Sequence, residues 1–169
     1  MRRVLDLLYM AAAWLAALAM IGVLVWVLLS IISRQLGVNI PGTDAYAGYS
    51  MAAAGFLALA LTLKRNEHIR VTLLIGRLHG RAGRALRLWA LSAAVLLAGL
   101  FAFYSVRLAW QSRVINDVST GNDATPLWIP QIAMALGTVV LLVAFIDEWV
   151  LELRGERRDG EPVEALHNE

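Results

Sequence analysis

Few side chains in this sequence could do chemistry, and none of them forms a recognisable catalytic or metal-binding pattern. The three histidines, His68, His79 and His167, lie outside the long apolar stretches, so they cannot pair as haem ligands across two membrane helices. His68 and His79 also lack the neighbouring cysteine or acidic cluster that a zinc site requires. The sequence therefore predicts neither a haem protein nor a zinc enzyme.

Covalent catalysis and nucleotide hydrolysis are equally unsupported. Five serines lie in the apolar stretches without a histidine partner that could activate them as nucleophiles: Ser30, Ser33, Ser50, Ser92 and Ser105. The sequence has no cysteine, which excludes disulfides, thiol redox relays and cysteine-bound metals. No Walker-type loop is present to hold the phosphates of ATP. We predict that the chain is not an enzyme and uses no cofactor.

The elements that would position any functional group are four apolar stretches without Asp, Glu, Lys, Arg or His, at residues 7–33, 45–63, 88–106 and 124–146. Each is long enough to cross the hydrocarbon core of a bilayer, which takes about 20 helical residues. The 169-residue chain is 59% hydrophobic, so little remains for a second domain. The predicted fold is an all-α integral membrane protein with four transmembrane helices, forming one domain over residues 1–153.

The absence of charge within the spans limits what the chain can do by itself. Charged groups inside a membrane are costly and mark the pathways of ions and substrates. A chain that spans the membrane without them is predicted to be unable to transport a solute alone.

The basic residues are sorted by side of the membrane. Twelve Lys and Arg residues fall in the N-terminus, the segment between spans two and three, and the C-terminal tail, against three on the other side. The positive-inside rule then predicts that both termini are cytoplasmic. The net charge of +2 is therefore interpreted as a topology signal with attraction to membrane lipid, and nucleic acid is not an expected partner.

Two segments outside the spans have distinct patterns. In Glu67–Arg87, arginines recur on one helical face opposite apolar residues, which predicts an amphipathic interfacial segment on the cytoplasmic side. From Glu148 onwards the sequence mixes both charges with Gly and Pro, and we predict a mobile cytoplasmic tail at residues 154–169.

Small residues predict where helices approach closely. Gly48, Ala52 and Gly55 fall on one face of span two, and this spacing favours a helix-packing seam. Span one has a similar spacing of small residues that predicts a close helix contact, at Ala12, Ala16 and Ala19 with Ala13 and Ala17 beside them.

Turn residues mark the starts of two spans. Pro41 and Gly42 predict a turn before span two, with Asp44 placed to cap its first turn. Pro126, Trp128 and Pro130 open span four, and the second proline predicts a late or kinked helix start. The outer loops, residues 35–44 and 111–125, contain charges of both signs, whose simplest role is solvation.

Taken in order, these motifs resemble a known family, the DctQ-type small membrane subunit of tripartite ATP-independent periplasmic (TRAP) transporters. The resemblance covers about residues 4–151. It rests on Arg34 followed by Ile40–Asp44, on span two running through Lys64 into a His-Ile-Arg-Val motif, and on Pro126–Pro130 with Gly137 beyond. The motif after span two comprises Glu67, His68, Ile69, Arg70 and Val71. The chain departs from the family pattern at Ala45 and Thr72, where acids are common.

The resemblance implies a role in the bacterial cytoplasmic membrane as one subunit of a sodium-coupled importer. In such transporters a large membrane subunit, DctM-type, holds the substrate and sodium sites, and a periplasmic binding protein, DctP-type, delivers an organic acid or similar solute. The small subunit braces the large one and helps the binding protein dock. A candidate docking surface comprises Arg34, Asp44, Arg113, Asp117 and Asp123. The resemblance assigns Glu67, His68 and Arg70 to fixing the inner end of span two.

Other functional classes stay open at this point. A self-sufficient four-helix carrier or exporter would need a membrane-embedded carboxylate, which the spans lack. A membrane enzyme or electron carrier would need the absent cysteines or intramembrane histidines. A membrane scaffold without a transport role is the remaining alternative.

Overall fold

A computed structural model describes residues 2–38, 40–64, 81–121 and 123–154, and the side chains of all of these except residues 2–4, 81 and 82. The described residues form four helices: α1 (Arg2–Gln35), α2 (Thr43–Lys64), α3 (Arg81–Val114) and α4 (Trp128–Arg154). Within these ranges no β-strand occurs beyond a single antiparallel bridge between Val118 and Pro126. The all-α prediction is confirmed.

Each of the four helices is long and apolar enough to cross a membrane, over Leu5–Gln35, Thr43–Lys64, Gly83–Val114 and Trp128–Arg154. The four predicted spans are therefore confirmed in number and order for the described residues. The helices extend beyond the apolar stretches because a helix continues into the interface and the water, where charged side chains are solvated.

The helix bounds in the structure differ from the predicted bounds of two segments. Helix α3 begins at Arg81, so the end of the proposed amphipathic segment, including Arg84 and Arg87, belongs to α3. The remainder of that segment lies outside the described residues. Helix α4 continues to Arg154, so the mixed-charge stretch that begins at Glu148 is helical over its first turns. Residues 155–169 lie outside the described part of the chain.

The helices form an open row in the order α1, α2, α4, α3. Helix α1 packs against α2, α2 against α4, and α4 against α3, whereas α1 meets α4 at few residues. Helix α3 also reaches α2 where the rings of Phe56 and Phe101 approach, with centroids 6.0 Å apart. An open row buries few side chains, so large apolar residues such as Trp14 and Trp89 stay exposed in the single chain.

The row of helices has two ends, which differ in whether they carry the chain termini or the two short loops. At one end, called here the terminal end, Asp6 of α1 pairs with Lys64 of α2, and Arg87 of α3 pairs with Glu152 of α4. At the other, the loop end, loop 1 (residues 36–42) joins α1 to α2 and loop 2 (residues 115–127) joins α3 to α4.

Small residues lie where helices meet. Of the alanines predicted to form a packing face on α1, Ala12 and Ala16 are buried, Ala13 and Ala19 are half-buried and Ala17 is exposed. Tyr9, Ala60 and Ala144 form a buried cluster that joins α1, α2 and α4. Alanine at these positions allows the helix backbones to approach without displacing a larger side chain.

Helices α2 and α4 approach each other closely at Gly137. A Cβ built on Gly137 would lie 2.5 Å from the backbone carbon and oxygen of Phe56. Such a distance is far below van der Waals contact, so only glycine fits while the two helices stay this close.

The start of α4 follows the proline pattern. The helix begins at Trp128, after Pro126, and Pro130 lies in its first turn, where a missing N–H leaves no intrahelical bond unmade. Leu127 and Ile129 donate their backbone N–H groups to the carbonyls of Asp117 and Pro126. The predicted late start is confirmed.

Gly137→Ala is expected to destabilise the chain because the added methyl group collides with the backbone of α2. Overpacking of a tight contact costs about 1–3 kcal/mol. The measurement is the thermal unfolding midpoint in detergent, which we expect to fall for this variant.

Gly48→Ala is the matched control for that experiment. A Cβ at Gly48 would meet no atom within 4 Å, so the unfolding midpoint should be unchanged or slightly raised. Equal midpoints for Gly137→Ala and the wild type would contradict the close approach of α2 and α4.

Candidate functional site at the loop end

The loop end gathers most of the sequence-predicted site residues, and helix termini position them. Helix α1 ends at Gln35, and in the turn that follows Gly37 has a φ of 66°, which allows Val38 to donate its N–H to the Ser33 carbonyl. Helix α3 ends at Val114 and is followed by a similar turn at Asn116, with Asp117 donating its N–H to the Ser112 carbonyl. Both are the left-handed C-terminal turns that glycine and asparagine favour. These turns direct loop 1 and loop 2 towards α2.

Asp123 is the centre of the loop-end hydrogen bonds. Its carboxylate accepts one bond from the Ser119 hydroxyl at 2.8 Å and one from the Tyr49 hydroxyl at 3.0 Å. Tyr49 lies in α2, so the second bond fixes loop 2 to a neighbouring helix. The bond from Ser119, followed by those from Thr125 and Tyr49, lowers the pKa of Asp123 to about 2 against a smaller opposing effect of desolvation.

Loop 1 approaches Asp123 closely at a glycine. Gly42 has a φ of 85°, and a Cβ there would lie 2.7 Å from the Cβ of Asp123. Any other residue would be strained and would displace loop 2. Ala124, next to Asp123, has a φ of 46°, which costs an alanine about 1–2 kcal/mol. The bonds around Asp123 offset this cost.

Aromatic side chains support the loops from below. Trp26 of α1 stacks on Tyr46 of α2 with ring centroids 4.9 Å apart, and the Tyr46 hydroxyl accepts a hydrogen bond from Thr125 at 3.2 Å. Trp128 lies under the guanidinium of Arg113, 5.4 Å from its ring centroid. Tryptophan and tyrosine are enriched near membrane interfaces because their rings are apolar and their polar atoms can reach water.

Three of the five predicted docking residues meet at one cleft. Arg34, Asp44 and Asp123 line a cleft of ≈ 520 Å³ between loop 1, loop 2 and the end of α1. Asp44 lies in the first turn of α2, where an acid was expected, but its carboxylate accepts a hydrogen bond from Ser30 of α1 at 3.0 Å. It therefore joins two helices, and no side-chain cap of α2 is found among the described residues.

The other two predicted docking residues lie beside the cleft. Arg113 is exposed in the last turn of α3 above Trp128. Asp117 of loop 2 is half-buried. Its backbone N–H donates to the carbonyl of Ser112, and its carbonyl accepts the N–H of Leu127. All five residues thus share the loop end, although Asp123 is engaged in holding the loops together.

The predicted small-residue seam is exposed among the described residues. Gly48, Ala52 and Gly55 are exposed, and a Cβ at either glycine would meet no described atom within 4 Å. The close approach of α2 to another helix occurs on a different face, at Phe56. The seam stays a prediction about a helix outside this chain.

The terminal end contains interhelical contacts that the sequence analysis did not predict. Glu152, 4% exposed, accepts a hydrogen bond from Arg87 at 2.9 Å, and Arg84 donates to the carbonyl of Leu153 at 2.9 Å. The last carbonyl groups of a helix have no partner within that helix. An arginine of a neighbouring helix can donate hydrogen bonds to them. Trp149 also donates to Ser92 at 3.0 Å. A sequence pattern could have predicted these contacts. Basic residues lie near the start of α3, and acidic residues lie near the end of α4, its antiparallel neighbour.

The predicted motif after span two lies outside the described residues. It comprises Glu67, His68, Ile69, Arg70 and Val71.

Among the residues that are described, no group of three or more His, Cys, Asp or Glu could hold a metal ion. The side chains at the loop end hold the two loops in place and leave charged groups exposed on the surface.

Asp123 should make the stability of the loop end depend on pH. A carboxyl whose pKa is lowered by folding stabilises the fold above its unfolded value, near 3.8, and this contribution is lost as pH falls towards 2. We expect the thermal unfolding midpoint in detergent to fall between about pH 4 and pH 2, and Asp123→Asn to reduce this dependence. Asp117→Asn is the matched control. An unchanged pH profile in Asp123→Asn would contradict the role given to Asp123.

Comparison with known proteins identifies one family that matches these four helices. No curated protein sequence matches it significantly. A family model described as the DctQ component of tripartite ATP-independent periplasmic transporters matches residues 23–155. The match runs from the middle of α1 to just past the end of α4, and so includes the loop end, the α2–α4 contact and Glu152. The chain is therefore a multi-pass membrane protein that belongs to the DctQ family, the small component of TRAP transporters.

Proposed function

We propose that this chain is an accessory subunit that braces the large membrane subunit of a sodium-coupled TRAP transporter and helps its periplasmic binding protein to dock. The observation that carries the proposal is the family match over residues 23–155. The partners are a DctM-type large subunit and a DctP-type binding protein, and the solute is an organic acid or a similar compound.

The charge distribution along the helices supports an accessory role. The central parts of the four spans contain no ionisable side chain other than tyrosine, whereas solute and ion pathways through membranes are marked by charged groups. The described ion pairs lie at the terminal end, between Asp6 and Lys64 and between Arg87 and Glu152. They join neighbouring helices, which is a structural task.

The open row supports a bracing role. A closed four-helix arrangement would bury its small residues inside, whereas here Gly48, Ala52 and Gly55 face outwards from α2. Small residues on an exposed transmembrane face allow a helix of another subunit to approach closely. We assign this face of α2 to the contact with the large subunit.

Topology follows from the charges at each end. The terminal end carries most of the Lys and Arg residues, so we assign it to the cytoplasm, with both chain termini and the segment between α2 and α3. The loop end is then periplasmic, and the membrane is the bacterial cytoplasmic membrane. The segment from Glu67 to Arg81 is assigned to the cytoplasmic lipid interface, where Glu67, His68 and Arg70 fix the inner end of α2.

The loop end has the character of a transient docking surface. Arg34, Asp44 and Arg113 are exposed at this end and carry charges of both signs. Complementary charges guide association and set the orientation of a soluble partner without requiring high affinity. Asp117 and Asp123 contribute negative charge from loop 2, and the bonds of Asp123 keep the surface in one shape.

Purification from the native host tests the proposal directly. A tagged chain, extracted in mild detergent and identified by mass spectrometry, is expected to bring down the large TRAP subunit. In proteoliposomes, sodium-driven uptake of an organic acid should require the large subunit and the binding protein together with this chain. Uptake by this chain alone would contradict the accessory role and favour a self-sufficient carrier.

Gly55→Leu, and likewise Gly48→Leu, should weaken association with the large subunit. A leucine side chain on the small-residue face prevents a close helix approach, while membrane insertion is unaffected because leucine is apolar. The measurement is the fraction of large subunit that co-purifies, which we expect to fall several-fold.

Ala90→Leu provides the matched control, because Ala90 is an exposed small residue on α3, at the other side of the row. Its co-purification should equal that of the wild type. If all three variants retained the large subunit equally, the assignment of the interface to α2 would be wrong.

A further inference from the structure

A groove leads from the loop-end cleft down the side of α1. Arg34, Ser30 and Asp44 line the cleft and also a second hollow of ≈ 380 Å³, whose other walls are Val27 and Ile31, with Gln35 at its rim. Residues 27, 30, 31 and 34 recur at helical spacing and so share one face of α1. The two hollows are therefore continuous along that face.

The groove changes from polar to apolar with depth. Arg34 lies in the last turn of α1, and Val27 lies about 10 Å further into the span at 1.5 Å per residue. Val27 and Ile31 are 42% and 53% exposed, so their side chains are open to a neighbouring molecule. This gradient matches a phospholipid, which has a charged headgroup above an acyl chain.

The two charges at the mouth have opposite signs and do not form an ion pair with each other. Asp44 accepts the hydroxyl of Ser30, and no ion pair joins Arg34 to a carboxylate within the described ranges. A guanidinium is well suited to binding a phosphate, and a carboxylate accepts hydrogen bonds from an ammonium group. Both charges border the same hollow.

We propose that this groove binds one zwitterionic aminophospholipid, with its phosphate on Arg34, its ammonium group on Asp44 and an acyl chain along Val27 and Ile31. The site is separate from the assigned subunit face, because Gly48 and Gly55 do not line it. An anionic headgroup fits less well, since Asp44 and Asp123 would repel a second negative charge at the cleft.

Native mass spectrometry of the full chain tests the proposal. The chain is released from nanodiscs that contain equal amounts of phosphatidylethanolamine, phosphatidylcholine and phosphatidylglycerol. We expect phosphatidylethanolamine to be retained preferentially, because its ammonium group donates hydrogen bonds to Asp44 whereas a quaternary ammonium cannot. Preferential retention of phosphatidylglycerol, or no retention, would overturn the proposal.

Three variants separate the parts of the site. Arg34→Gln should lower retention of every phospholipid about tenfold, which is the effect of losing one charge-assisted hydrogen bond. Asp44→Asn should remove the preference for the amine headgroup while keeping overall retention. Arg107→Gln removes an exposed arginine of α3 that does not line the groove, and should change neither.

Val27→Trp distinguishes a lipid from a soluble phosphate ester. The larger side chain fills the apolar part of the groove and should abolish lipid retention. Binding of soluble glycerophosphoethanolamine in place of lipid, unaffected by Val27→Trp, would show that the headgroup alone is recognised and would overturn the lipid assignment. Retention by Arg34→Gln equal to that of Arg107→Gln would overturn the role of Arg34.

Discussion

The close contact between α2 and α4 is the constraint on which the rest of the structure depends. Helices α1 and α2 form one antiparallel pair and α3 and α4 another, and the two pairs join along α2 and α4, where Gly137 meets the backbone of Phe56. A lipid bilayer offers no hydrophobic driving force between helices, so association depends on close packing and on polar contacts. The absence of a side chain at Gly137 provides that packing.

One polar and one apolar contact, on either side of Gly137, keep this joint in register. At the loop end, Tyr49 of α2 donates to Asp123 of loop 2, and at the terminal end Tyr9, Ala60 and Ala144 pack together. These contacts lie on opposite sides of Gly137 along α4, so neither pair can slide past the other without losing them. The loop-end charges are held in place by the same contacts.

The sequence predicted the number, order and approximate position of the helices because each span is apolar and free of charge. It also predicted the late start of α4 from two prolines, and the contact face of α1 from its alanines. Local patterns of this kind determine local structure. The family resemblance, built on motifs from Arg34 to Gly137, was confirmed.

The open row could not be predicted from the sequence. In water, an apolar stripe marks the buried face of a helix, but in a membrane both the buried and the lipid-facing sides are apolar. The pairing of Arg87 with Glu152 joins positions 65 residues apart, and each was interpreted only as part of a charged flank. Asp123 was chosen as a docking residue for its charge, whereas its partners Ser119 and Tyr49 show that it also anchors loop 2.

The unequal lengths of neighbouring helices have a mechanical consequence for the surrounding membrane. The uncharged part of α1, residues 7–33, measures about 40 Å along its axis, whereas that of α2, residues 45–63, is close to the 30 Å of an ordinary hydrocarbon core. Helix α1 forms one edge of the row. Along that edge either the helix leans or the acyl chains stretch, so the protein responds to bilayer thickness on one flank and not on the other.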